Sequence, residues 1–141
     1  MSLDRPEEAA RLFRDFASRQ WEVDLDYTSR CLLLAEQLLA TTVDGNGRGE
    51  GPPAPESLVV GLGCFVGETI RRNVGIPGSW SLDEVWSEDP VIKFERFSLD
   101  PIGKARAFLR EGSGDSVAFY ADYVLERLKG DPQEHDGQFH G

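Results

Sequence analysis

From Leu58 to Ile70 the chain is almost continuously apolar, and the one charged residue in that stretch, Glu68, is followed at the third and fourth positions by Arg71 and Arg72. The stretch is entered after Pro55-Glu56-Ser57 and left through Arg71-Arg72-Asn73-Val74-Gly75, with Gly75 placed to end a helix. It therefore predicts a central helix, around which the rest of the chain is arranged. Gly63 and Gly67 are four residues apart and share one face of that helix, where the missing side chains admit a neighbouring element at some cost in helix propensity. The spacing Gly61-Leu-Gly63-Cys-Phe-Val-Gly67 superficially suggests a dinucleotide loop. Its third glycine falls one residue late, and no strand-helix-strand pattern surrounds it, which leaves helix packing as the reading.

The flanking segments supply the partners. Asp4 with Glu7 has the spacing of a capping box, and Ala9, Leu12, Phe13 and Phe16 then continue a first helix to about Gln20. A second helix is expected after Asp24 or Asp26, with Cys31, Leu34, Ala35 and Leu38 on one face and Leu32, Leu39 and Val43 widening it. Residues 44–55, rich in glycine and proline, read as a loop. They begin like a calcium-binding loop, but Arg48 stands at a ligand position and Pro55 where the bidentate glutamate belongs.

Trp80 to Trp86 and Val91 to Phe97, separated by Ser87-Glu88-Asp89-Pro90, read as a β-hairpin. In its second arm Ile92 and Phe94 alternate with Lys93 and Glu95, and Phe97 breaks the phase. Asp100-Pro101 starts a helix carrying Ile102, Ala105, Phe108 and Leu109 that stops at Gly112. Ser113 or Asp115 caps a last helix with Val117, Ala121, Val124 and Leu128 in register, ending near Gly130. The expectation is an α+β fold: about five helices around a central apolar helix, with a small antiparallel sheet formed at least by the Trp80 and Val91 hairpin segments, in one globular domain over 1–130, and a disordered tail over 131–141.

Charge bounds the function. Among 141 residues, 25 acids against 15 bases give a net charge of −10, which repels phosphate backbones and anionic lipid heads. Nucleic acid and membrane are thereby set aside as partners. No run approaches the ~20 apolar residues of a membrane span, and the opening Met-Ser-Leu-Asp-Arg-Pro-Glu-Glu lacks the order of a signal peptide, so a cytoplasmic location is expected. Cys31 and Cys64 sit in apolar stretches and read as buried thiols rather than a disulfide. Both histidines, His135 and His140, fall in the tail, which leaves neither a histidine general base nor a zinc site for an ordered pocket. No cofactor is expected.

Two groups of residues carry the candidate chemistry. Glu68 with Arg71 and Arg72 forms a helical ion-pair set that, beside a pocket, could bind a polar ligand or move a proton. Asp83, Glu84, Glu88 and Asp89 surround Trp86, an arrangement suited to docking a basic protein partner. The missing catalytic groups, the acidity and the small size favour a non-catalytic binding or regulatory module of inhibitor or immunity type that uses the acidic hairpin. A small-molecule binder or enzyme using Glu68 with Arg71 and Arg72 is the alternative.

Leu25-Asp26-Tyr27 before an apolar helix, then Gly63-Cys-Phe-Val-Gly67-Glu68, Arg71-Arg72-Asn73-Val74-Gly75 and Trp80, together resemble a family of uncharacterised bacterial domains. In that family a helix ending Gly-Glu precedes a glycine-containing turn and a tryptophan. The likeness spans about Leu25 to Val124, including the Asp100-Pro101 helix and the Gly114-Asp115-Ser116 turn, and departs in detail at Cys64 and Phe65. It implies a single intracellular α+β domain and brings no activity with it.

Overall fold

In the computed structural model, which describes residues 6–45, 55–82, 89–111 and 116–129, the apolar stretch is a helix covered by elements from both ends of the chain. In chain order the elements are α1 (Pro6–Trp21), α2 (Ser29–Gly45), α3 (Glu56–Asn73), β1 (Ser79–Leu82), β2 (Pro90–Lys93), β3 (Ser98–Leu99), α4 (Pro101–Glu111) and α5 (Val117–Lys129). Among the described residues, five helices and a three-stranded antiparallel sheet make the fold α+β. Every residue of α3 from Val59 to Ile70 is buried, Glu68 and Thr69 included. The chain leaves α3 through Val74, and Gly75 follows at φ +83°, a left-handed turn that suits glycine.

α3 packs chiefly against α1 and α4, and α2 packs against α5. The glycines of α3 make the close approaches possible. A β-carbon at Gly63 would lie 2.7 Å from Ile102 Cγ1 and collide with the Ile102 backbone, while one at Gly67 would lie 2.5 Å from Trp80 Cζ2 and 2.9 Å from Pro101 Cγ. One glycine thus seats the start of α4 and the other seats β1. On the opposite side Phe13 meets Phe65 with ring centroids 5.4 Å apart, fixing α1 to α3.

The local signals around α4 act as expected: the Asp100 carboxylate accepts the Gly103 N–H at 3.0 Å, and Ile102, Ala105, Phe108 and Leu109 are all buried. Two expectations, both on α2, require correction. First, α2 is capped by Thr28, whose hydroxyl accepts the Cys31 N–H at 3.2 Å, and not by Asp24 or Asp26; Asp26 instead accepts the Thr28 hydroxyl at 2.6 Å. Secondly, the buried face of α2 is Leu32, Ala35 and Leu39, whereas Leu34 is exposed and Cys31 and Leu38 are half-buried. The helix presents the row three and four residues apart that meets α5 and α3, not the broader stripe read from hydrophobicity alone. The small antiparallel sheet expected from the Trp80 and Val91 segments is present and gains a third strand, in the order β1-β2-β3, with Trp80 opposite Ile92 and Ile92 opposite Leu99.

The out-of-phase Phe97 lies between β2 and β3, stacked on Phe94 at 4.7 Å, while the Phe94 N–H donates to the Phe97 carbonyl at 2.8 Å. α5 begins after Ser116, whose hydroxyl accepts the Phe119 N–H at 3.0 Å. The other proposed caps Asp4, Ser113 and Asp115, the bulk of the 44–55 loop and the 131–141 tail lie outside the described residues. Both cysteines are free thiols. Cys64 is buried, and its desolvation, with smaller contributions from Glu68 and Asp89, pushes its pKa up to about 12. Among the described residues no helix is long and apolar enough to cross a membrane.

Candidate functional site

Glu68 lies near the end of α3 with its carboxylate wholly buried. Arg71 Nε donates to its Oε2 at 2.7 Å and Arg71 Nη2 to its Oε1 at 3.0 Å; Arg72 Nε donates to Oε1 at 2.8 Å, and Trp80 Nε1 to Oε2 at 2.8 Å. The i+3 and i+4 spacing brings both arginines to one carboxylate, and the close seat of β1 on Gly67 brings the indole. Burial, the largest single influence on this carboxyl, would raise its pKa. The donors from Arg71, Trp80 and Arg72 together outweigh it and hold the pKa below the usual glutamate range. Glu68 is thus an ionised internal anchor with its lone pairs engaged.

The arginines it holds face a cleft of about 670 Å³ between α1, the α1–α2 connection, the end of α3 and β1. Arg11, Arg14, Arg71 and Arg72 line it together with Glu7, Glu8, Tyr27 and Trp80. Glu68 lies behind this wall and does not line it. Arg72 crosses the Tyr27 ring, its guanidinium carbon 4.0 Å from the centroid, and Arg14 stands 5.0 Å from the same centroid. Tyr27 is itself fixed from α3: Asn73 Nδ2 donates to the Tyr27 carbonyl at 2.7 Å, and the ring packs on Phe65 at 5.6 Å. Arg14 Nε donates to the Leu25 carbonyl.

The four arginines are engaged to different degrees. Arg11 pairs with Glu8 and, at 3.5 Å, with Asp15. Arg71 Nη2 also donates to Glu7 at 2.8 Å. Arg72 is 47% exposed, and among the described residues its two terminal nitrogens have no acceptor. Its Nε is held by a buried carboxylate and its plane by an aromatic ring, so those terminal N–H groups project as a pre-oriented fork, the geometry that matches a carboxylate or phosphate. No group of three His, Cys, Asp or Glu side chains suited to a metal ion occurs among the described residues.

Glu68, Arg71 and Arg72, the set expected from the sequence, are in contact. Arg11, Arg14 and Glu7, which carry no local sign of the site, arrive through the packing of α1 on α3, and Tyr27 arrives from the α1–α2 connection. Of the acidic hairpin, Asp83, Glu84, Trp86 and Glu88 lie outside the described residues. Asp89 accepts from Arg106 Nη2 at 2.9 Å, and the same guanidinium donates to Glu56 at 2.7 Å, tying the start of β2 and of α3 to α4. Comparison of the chain with protein-family models, with curated proteins and with solved structures finds no match.

Proposed function

We propose that the chain is a binding module for a small organic anion, held by the arginines of the cleft that Tyr27 and Trp80 also line. The observation that carries this reading is the collection of four guanidinium groups around one cleft in a chain of net charge −10. Two of these are braced from behind by a buried carboxylate, which orients their donors before any ligand arrives and so lowers the ordering cost of binding. Glu68 serves as the positioning residue. A proton-transferring role is disfavoured by its pKa, held below the usual range, and by its place behind the cleft wall. Five residues of the longer pattern that resembles the bacterial Gly-Glu domains, Gly67, Glu68, Arg71, Arg72 and Trp80, build this anchor. The reading ranks above docking of a basic protein partner because its residues form a defined cavity.

An NMR titration with citrate and inorganic phosphate at low salt tests it. Saturable shifts are expected at the Trp80 Nε1–H, at Tyr27 and in the first turn of α1, and they should weaken as salt screens the charges. Shifts confined to α5, or none with either anion, would refute it.

A further inference from the structure

The Arg71–Glu7 pair differs from the Arg71–Glu68 pair in one respect that bears on the ligand. Glu68 is buried and cannot exchange its partners without leaving a charge stranded in the core. Glu7 is 62% exposed, sits in the first turn of α1 and meets Arg71 Nη2 at 2.8 Å on the cleft side. An exposed pair of this kind contributes little to the fold and opens readily. Beside it, the terminal fork of Arg72 has no acceptor among the described residues.

We infer that Glu7 is an internal stand-in for a carboxylate of the ligand, and that the cleft takes a small polycarboxylate. One carboxylate of that ligand displaces Glu7 from Arg71, and a second engages the neighbouring fork of Arg72. Both guanidinium groups are bound to the single carboxylate of Glu68, which holds them side by side. Two oxyanions joined by a short carbon chain therefore match them better than one. The second contact forms within an already bound ligand, so a polycarboxylate gains over a monocarboxylate by effective concentration. The displaced Glu7 stays on its exposed helical turn and competes for Arg71, which reduces apparent affinity by the fraction of time it occupies that seat.

This inference rests on the anion-binding reading, and calorimetric titration of the full chain at low salt separates the two. Citrate, acetate and inorganic phosphate are titrated into wild type, Glu7→Gln and Glu22→Gln. Glu22 is exposed just past the end of α1 and does not line the cleft. Citrate should bind at least about tenfold more tightly than acetate. Glu7→Gln should tighten citrate binding by about threefold or more, while Glu22→Gln should change it much less. Equal gains in both variants would reduce Glu7 to one charge in a general field and overturn the stand-in. Phosphate binding as tightly as citrate would overturn the polycarboxylate class. Failure of all three anions to bind wild type would remove the anion-binding reading as well.

Discussion

Trp80 donates its indole N–H to the buried Glu68 carboxylate at 2.8 Å while its six-membered ring lies against Gly67, the preceding residue of the same helix. One side chain therefore closes the helix surface with its apolar edge and satisfies a buried charge with its polar one. The absence of a side chain at Gly67 is what lets it do both.

Replacing Glu68 by Gln keeps the shape but removes the charge that Arg71 and Arg72 share. Urea unfolding should show a loss of about 1.5 to 3 kcal/mol, the range for hydrogen bonds to a charged group. The folded-state pKa of Glu68 is lowered, so its contribution is fully present above the unfolded glutamate value of about 4.3 and is lost as pH falls below that value through the folded pKa. Wild type should therefore lose more stability than Glu68→Gln between neutral pH and the acid range; parallel pH profiles would show that Glu68 makes no such contribution.

The helix glycines should rank by what a β-carbon meets. Gly63→Ala drives into the Ile102 backbone, which cannot move without α4, and should cost about 1 to 3 kcal/mol or more. At Gly61 the nearest atom is Phe13 Cβ at 3.3 Å, so Gly61→Ala should be much milder, its slight crowding offset by the higher helix propensity of alanine, about 1 kcal/mol. Thermal melts of the two variants check the order, and similar melting temperatures would contradict the close approach at Gly63.

Glu36 of α2 accepts the Ala118 N–H at 2.8 Å and the Ser116 hydroxyl at 2.8 and 2.9 Å, so a carboxylate from one helix caps the start of another. Glu36→Ala should cost about 0.5 to 2 kcal/mol, as loss of a helix cap does. Amide exchange should quicken first in the opening turn of α5, and anion binding at the distant cleft should be unchanged.

How much of this could be read from the sequence depends on how locally each feature is encoded. Asp100-Pro101 starts α4 through contacts within four residues, and Glu68 reaches Arg71 and Arg72 within one helical turn, so both were legible. The packing role of Gly63 and Gly67 was legible too, though not that Ile102 and Trp80 would be the neighbours. Arg14 and Glu7 carried no local sign of function, because what makes them part of the site is a contact across 64 residues between Glu7 and Arg71 and the approach of Arg14 and Arg72 to one tyrosine. The exposure of Leu34 escaped the pattern for a similar reason: hydrophobicity marks a candidate face, and the neighbouring helix decides which part of it is covered. The two residues of β3 are too few to show a period.

The proposed anion site depends on Glu68 orienting Arg72 so that its terminal fork binds an anion. Isothermal titration of citrate into wild type, Arg72→Lys and Arg72→Gln, with circular dichroism to verify that each is folded, tests it most directly. Arg72→Gln should weaken binding by at least about tenfold, as expected for loss of a charge-assisted bidentate contact, and Arg72→Lys should recover only part of that loss because it restores the charge without the fork. Equal citrate affinity in all three folded proteins would contradict the account.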